Sequence, residues 1–179
     1  TAVKVYPVTK DFYGENDRPW IAYDFYVPEG GEYNLRFYLA PTTPVTNESR
    51  QYLGYSLNEG NVKIINTVKE EDKPFFTSAQ WQKEAYEQIK ITETEAICKK
   101  GCNRLYFYGM SPAIVLERIV LWEKDKELPE SYLGPTESFF EKPLDNLSKV
   151  CYYMLVRFKT FQNISISFKR CVYVSGRTL

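Results

Sequence analysis

Between residues 21 and 39 the sequence alternates with period two on either side of a single turn. Ile21, Tyr23, Phe25 and Val27 fall on one face, while Ala22, Asp24 and Tyr26 fall on the other. Pro28, Glu29, Gly30 and Gly31 punctuate the chain, and Tyr33, Leu35, Phe37 and Leu39 then resume the alternation against Glu32, Asn34 and Arg36. Pleated backbone sends successive side chains to opposite faces, so both runs read as half-buried strands. The short glycine-containing turn between them predicts a β-hairpin.

Further short strands follow. Pro41 and Pro44 end the second run, because proline cannot donate to a ladder. Leu53, Tyr55 and Leu57 predict another half-buried strand, closed by Asn58, Glu59, Gly60 and Asn61. The β-branched stretch 62–68 begins one more, and Ile89 and Ile91 mark the next. Leu105 and Phe107 oppose Arg104, Tyr106 and Tyr108, and residues 114–122 are apolar on both faces, which predicts a central strand interrupted by Glu117 and Arg118. Trp81, Ala85 and Ile89 recur every fourth residue behind Thr77 or Ser78, the pattern of one short capped helix. About seven short strands at near-regular spacing with one short helix predict an all-β, antiparallel β-sandwich.

Composition removes several kinds of function. The 179 residues carry 23 Lys+Arg, 23 Asp+Glu and no histidine. Without histidine there is no Ser-His-Asp triad, no His-based zinc site and no use of the commonest general base. A formal net charge of zero argues against nucleic acid held by counterion release. No apolar run reaches the roughly 18 residues that a membrane span needs. The zero charge also conceals a seam. Residues 142–179 hold 7 basic and 1 acidic side chains, leaving 16 and 22 for residues 1–141. The expectation is a sandwich over 1–141 and a tail over 142–179 of separate origin. That tail reads either as an extraneous extension or as a short hairpin in which Ile164 and Ile166 alternate with Ser165 and Ser167. Thr1 opens the sequence without an initiator methionine, so no signal peptide is legible.

Two segments carry a family resemblance. One joins Ile65, Asn66, Thr67 and Val68 to Trp81 at the start of the short helix. The other runs from Leu105, Tyr106, Phe107 and Tyr108 through residues 112–120 to Ser131, Tyr132, Leu133, Gly134, Pro135, Thr136, Glu137 and Ser138. Together they resemble the C-terminal domain of glycoside hydrolase family 115, the xylan α-glucuronidases, over roughly residues 1–140. The closing segment at 131–138 is the specific part. Asn103 stands where the family often has a histidine, Ser111 where it has an aspartate and Thr136 where it has a proline, so no role tied to those groups carries over. The resemblance implies a jelly-roll or carbohydrate-binding-module-like sandwich, in a periplasmic or secreted protein. It further implies a non-catalytic accessory domain, since the family's catalytic residues lie in an upstream barrel. The partner would be a catalytic domain or a second subunit, and the parent reaction would remove glucuronic or 4-O-methylglucuronic acid from xylan. No cofactor is implied. The rival reading is a free-standing carbohydrate-binding module for plant-cell-wall glycan.

The candidate sites follow from residue chemistry. Tyr26, Tyr38, Tyr106 and Tyr108 fall on the polar sides of their strands, where aromatic rings can stack on the C–H faces of sugars or serve as a docking surface. Tyr132, Leu133, Gly134 and Pro135 form a conformationally restricted segment read as a docking motif. Cys98 and Cys102 flank a three-residue turn and are open to three readings: a metal site completed by Cys151 and Cys171, a disulfide, or free thiols. No metal is expected. Glu70, Glu71 and Asp72, like Glu93 and Glu95, read as solvated carboxylates before they read as a glycosidase pair. The sequons at Asn47, Asn146 and Asn163 decide nothing.

Overall fold

A computed structural model describes residues 2–46, 50–69 and 78–128, together with the backbone of Val172–Ser175. Its elements are β1 (Val3–Lys4), β2 (Trp20–Val27), β3 (Gly31–Leu39), β4 (Tyr52–Leu57), β5 (Lys63–Asn66), α1 (Ala79–Glu87), β6 (Lys90–Cys98), β7 (Gly101–Gly109), β8 (Val115–Glu123) and β9 (Val172–Ser175). One sheet runs β1-β8-β3-β6, and the other runs β2-β7-β4-β5. All pairings are antiparallel except that of β9, which runs parallel along Ile119, Val120, Leu121 and Trp122 of β8. The remaining tail residues, and with them the expected boundary at 141/142, lie outside the described residues. Among those described, no helix is long and apolar enough to cross a membrane.

The alternating runs fold as strands, but they do not pair with each other. β2 pairs with β7 in one sheet, whereas β3 pairs with β6 and β8 in the other. The Pro28–Gly31 turn is therefore an arch between sheets and not the expected hairpin. The reason is burial. Ile21, Tyr23 and Val27 on β2, and Tyr33, Leu35, Phe37 and Leu39 on β3, must all reach one core, and facing each other across the sandwich achieves this. The local hairpin is instead β4–β5, where Tyr52 pairs with Asn66 and Tyr55 with Lys63.

The core lies between the sheets. Phe37 packs at 5.7 Å from Tyr55 and 5.6 Å from Phe107, ring centre to ring centre. Full burial of such a side chain contributes about 1.5–3 kcal/mol. The Tyr55 hydroxyl shares a 2.8 Å hydrogen bond with Thr94 Oγ1 and donates to the Glu95 carbonyl at 3.0 Å, which ties one sheet to the other. As expected for a central strand, β8 is apolar on both sides. Leu116, Ile119 and Leu121 face the core, while Val120 and Trp122 join Tyr38, Ile89 and Leu128 in a second cluster on the outside. Glu117 is the extra residue where the β3–β8 register shifts between Tyr38 and Leu39.

Helix α1 begins where its cap predicts, with Ser78 accepting from the Trp81 amide at 3.0 Å. Its buried member is Glu84, which meets the equally buried Lys90 of β6 at 3.7 Å. The strand marked by Ile89 and Ile91 is longer than these residues suggest and has the opposite phase. Lys90, Ala96 and Cys98 are buried, while Ile91 and Ile97 lie open to solvent.

Candidate functional site

Strand pairing assembles a polar and aromatic face on the outside of the β2-β7-β4-β5 sheet. Trp20 lies opposite Tyr108, Ala22 opposite Tyr106, Asp24 opposite Arg104 and Tyr26 opposite Cys102. These residues share a face because antiparallel partners point the same way. Trp20 meets Tyr106 edge-on at 5.5 Å, and Tyr106 stacks on Tyr108 at 6.3 Å with the rings inclined by 22°. The Tyr108 hydroxyl lies 3.3 Å from Ser56 Oγ on the neighbouring β4. Beside it, a Cβ on Gly54 would stand 3.1–3.3 Å from Val62, Met110 and Tyr108, a tight fit that those side chains would have to ease. Gly54 and Ser56 are thus buried beside the aromatic residues of β2 and β7.

Arg104 grips Asp24 with two hydrogen bonds, from Nε at 2.5 Å and from Nη2 at 2.7 Å. The Asp24 carboxylate, followed by the Tyr106 hydroxyl, holds the guanidinium firmly in its charged form. Next to this pair opens a groove of ≈ 430 Å³ lined by Asp24, Asn58, Glu59, Lys99, Arg104 and Tyr106. Asn58 takes a left-handed backbone with φ 56°, a conformation that asparagine tolerates better than most residues. It exchanges backbone and side-chain hydrogen bonds with Arg104, at 2.6 and 3.0 Å, and its amide donates to Asn103 Oδ1 at 3.1 Å.

Two of the three departures from the family pattern have structural work to do, and the third, Thr136, lies outside the described residues. Asn103 is buried and accepts from the Lys99 amide at 3.0 Å while donating to the carbonyls of Lys99 and Gly101 at 2.7 and 3.0 Å. It pins the turn that carries Lys99 into the groove. Ser111 accepts from the Tyr52 amide at 2.8 Å and lies 3.2 Å from the Tyr13 hydroxyl.

Of the four tyrosines singled out, the fold brings Tyr26, Tyr106 and Tyr108 together and sets Tyr38 apart. Tyr38 belongs to the outer face of the other sheet, is only 3% exposed, and lies under Arg36 and Arg118 at 5.7 and 5.9 Å. The arch between β2 and β3 is the cause, because it sends the polar sides of the two strands to opposite outer surfaces. Sequence reasoning put Asp24 on the face of Tyr26 and Arg104 on that of Tyr106 and Tyr108, but singled out neither of them, nor Trp20, as a site residue. Lys99, Asn58 and Glu59 sit in connections, where no periodicity marks them.

Cys98 and Cys102 lie in different places: Cys98 is a free thiol buried in the core, and Cys102 lines the groove. Burial pushes the Cys98 thiol up to about 12. Glu93 and Glu95 are solvated as expected and pair with Arg36 and Lys124. Tyr132, Leu133, Gly134 and Pro135 lie outside the described residues, as do Glu70, Glu71, Asp72, the three sequons, Cys151 and Cys171.

Fold and face together define a two-sheet antiparallel β-sandwich module built around a surface, with its polar groups spent on structure or on an open groove. The chain belongs to the glycosyl hydrolase family 115 C-terminal domain, whose sequence profile matches residues 1–137. It is accordingly an accessory domain of the glycoside hydrolase type. Among solved structures, it is similar to a family GH115 4-O-methyl-α-glucuronidase with specificity for decorated arabinogalactans. That likeness has a TM-score of 0.51 and 15% identity, over 59% of this chain and 13% of the enzyme. A family 35 carbohydrate binding module from Clostridium thermocellum is similar at a TM-score of 0.43 and 20% identity, over 68% of this chain and 87% of the module. No curated protein sequence matches the chain.

Proposed function

We propose that this domain serves an α-glucuronidase-type glycoside hydrolase by packing against its catalytic domain or a second subunit, without chemistry of its own. The observation that supports this is one of proportion. The matched part of the sandwich corresponds to 13% of a family GH115 enzyme, so in that setting most of the chain lies outside it and offers domains to pack against. The parent reaction in this reading is removal of glucuronic or 4-O-methylglucuronic acid from xylan. Sedimentation velocity tests it: the chain, mixed with a family 115 enzyme lacking its own C-terminal domain, should migrate as a heterocomplex. Two independent boundaries at micromolar concentrations would count against packing.

A second reading has its own observation. Trp20, Tyr26, Tyr106 and Tyr108 lie on one outer face, with Tyr26 36% exposed, as a surface for stacking sugar rings requires. In this reading the domain holds plant-cell-wall glycan, and native gels cast with soluble xylan should retard it.

A further inference from the structure

We propose that the groove beside the Asp24–Arg104 pair is a subsite for one neutral pyranose residue of a glycan backbone, and that it turns uronic acids away. The proposal rests on the second, glycan-binding reading above and gives it a location and a ligand class.

The groove contains two acids, Asp24 and Glu59, and two bases, Lys99 and Arg104. Its charges therefore balance, and nothing in it calls for an anion. Arg104, the group best shaped to receive a carboxylate, already has one: Nε and Nη2 are both committed to Asp24. At Arg104 a uronate would have to evict Asp24, whose side chain is only 15% exposed, and at Lys99 it would meet the repulsion of Asp24 and Glu59 in the same groove. A neutral sugar needs no such exchange. Its hydroxyls are donors and acceptors at once, matching carboxylate acceptors on Asp24 and Glu59 and donors on Lys99, Arg104 and the Asn58 amide. Tyr106 supplies an aromatic wall at the inner end, where the groove joins the ridge formed with Trp20 and Tyr108. A chain of sugars can therefore run along the ridge and end with one residue in the groove. The volume, ≈ 430 Å³, lies within the range of about 300–1,000 Å³ typical of small-molecule sites. The walls are set in advance, because Asn58 is tied to Arg104 and Asn103 holds the turn bearing Lys99.

The test is an amide-resolved NMR titration of the whole chain with xylotetraose, a neutral pyranose oligomer, and in parallel with glucuronic acid. Xylotetraose should shift the amides of Asn58, Lys99 and Arg104, and its affinity should be insensitive to salt between about 50 and 500 mM. Glucuronic acid at equal concentration should leave those amides in place. Glu59→Gln and Lys99→Met change exposed connection side chains, so the fold survives, and each should weaken xylotetraose binding about five-fold. Xylotetraose shifts confined to Trp20 and Tyr26, with both variants binding normally, would overturn the groove while leaving the tyrosine face standing. Salt-sensitive binding of glucuronic acid at the groove would overturn the neutral class. Absence of any response to xylotetraose would overturn the subsite and the glycan-binding reading together.

Discussion

At Gly109 a hydrogen atom is all that the space allows. A Cβ built there would stand 2.1 Å from Val5 Cγ2, and Val5 is itself buried against the core where the chain enters the sandwich. Gly109→Ala should therefore destabilise the domain by about 1–3 kcal/mol, read as a lower urea midpoint with the slope unchanged. A midpoint equal to that of the parent would mean that Val5 is not seated as described. Cys98 makes a different demand. Burial raises its thiol from the ordinary 9.0 to about 12, so the folded state holds a proton that the unfolded chain releases earlier. Stability from this group is complete below about pH 9 and is lost as the pH climbs toward 12. Tyr33, also pushed up by burial, adds to the alkaline loss in the same direction. Thermal melts across that window should show a shallower decline for Cys98→Ala than for the parent, and identical slopes would remove the thiol from the explanation. None of these residue-scale properties is legible in the sequence. Gly109 reads as an ordinary strand-end glycine, and Cys98 reads as half of a turn motif shared with Cys102, until the fold places them in different environments.

Elements were more readable than their partners. The period-two pattern located β2, β3, β4 and β7, because one buried face imposes that alternation whatever strand lies alongside, and a run apolar on both faces located β8. It said nothing about which sheet each strand joins. The turn at Gly30 and Gly31 suits a tight reversal, yet the chain uses it to cross from one sheet to the other, so that the apolar faces of β2 and β3 meet across the core. Misreading that one connection put Tyr38 on the tyrosine face and hid the pairing of Asp24 with Arg104. β6 was hard to place for another reason. Its inward positions include Lys90, which meets Glu84, and Thr94, which meets Tyr55, while Ile91 and Ile97 face water. The Tyr55 hydroxyl is the clearest tie between the sheets. Tyr55→Phe keeps the ring packed on Phe37 and deletes only the bonds to Thr94 and Glu95, so chemical denaturation should show a loss of about 0.5–1.5 kcal/mol. A loss near zero would mean that ring packing alone holds β4 to β6.

For the molecule as a whole, the sandwich, its single short helix and the family were all accessible from sequence, because they depend on pattern and on extended motifs. The face on the β2-β7 sheet was accessible only in part. Exposed tyrosines can be guessed from parity, but the groove needs Asn58 and Lys99 from two connections and a cross-strand ion pair, and these meet only after folding. Asn103 and Ser111 show the same logic, since both are engaged in holding backbone, and neither is poised for chemistry. An accessory domain that assists a glycoside hydrolase should have no turnover of its own. The most direct measurement is the release of 4-O-methylglucuronic acid from glucuronoxylan by the chain alone, followed chromatographically at several pH values. The account predicts no release above the uncatalysed background. Turnover that scales with the concentration of the chain, and disappears when Glu70, Glu71 or Asp72 is replaced by its amide, would contradict it.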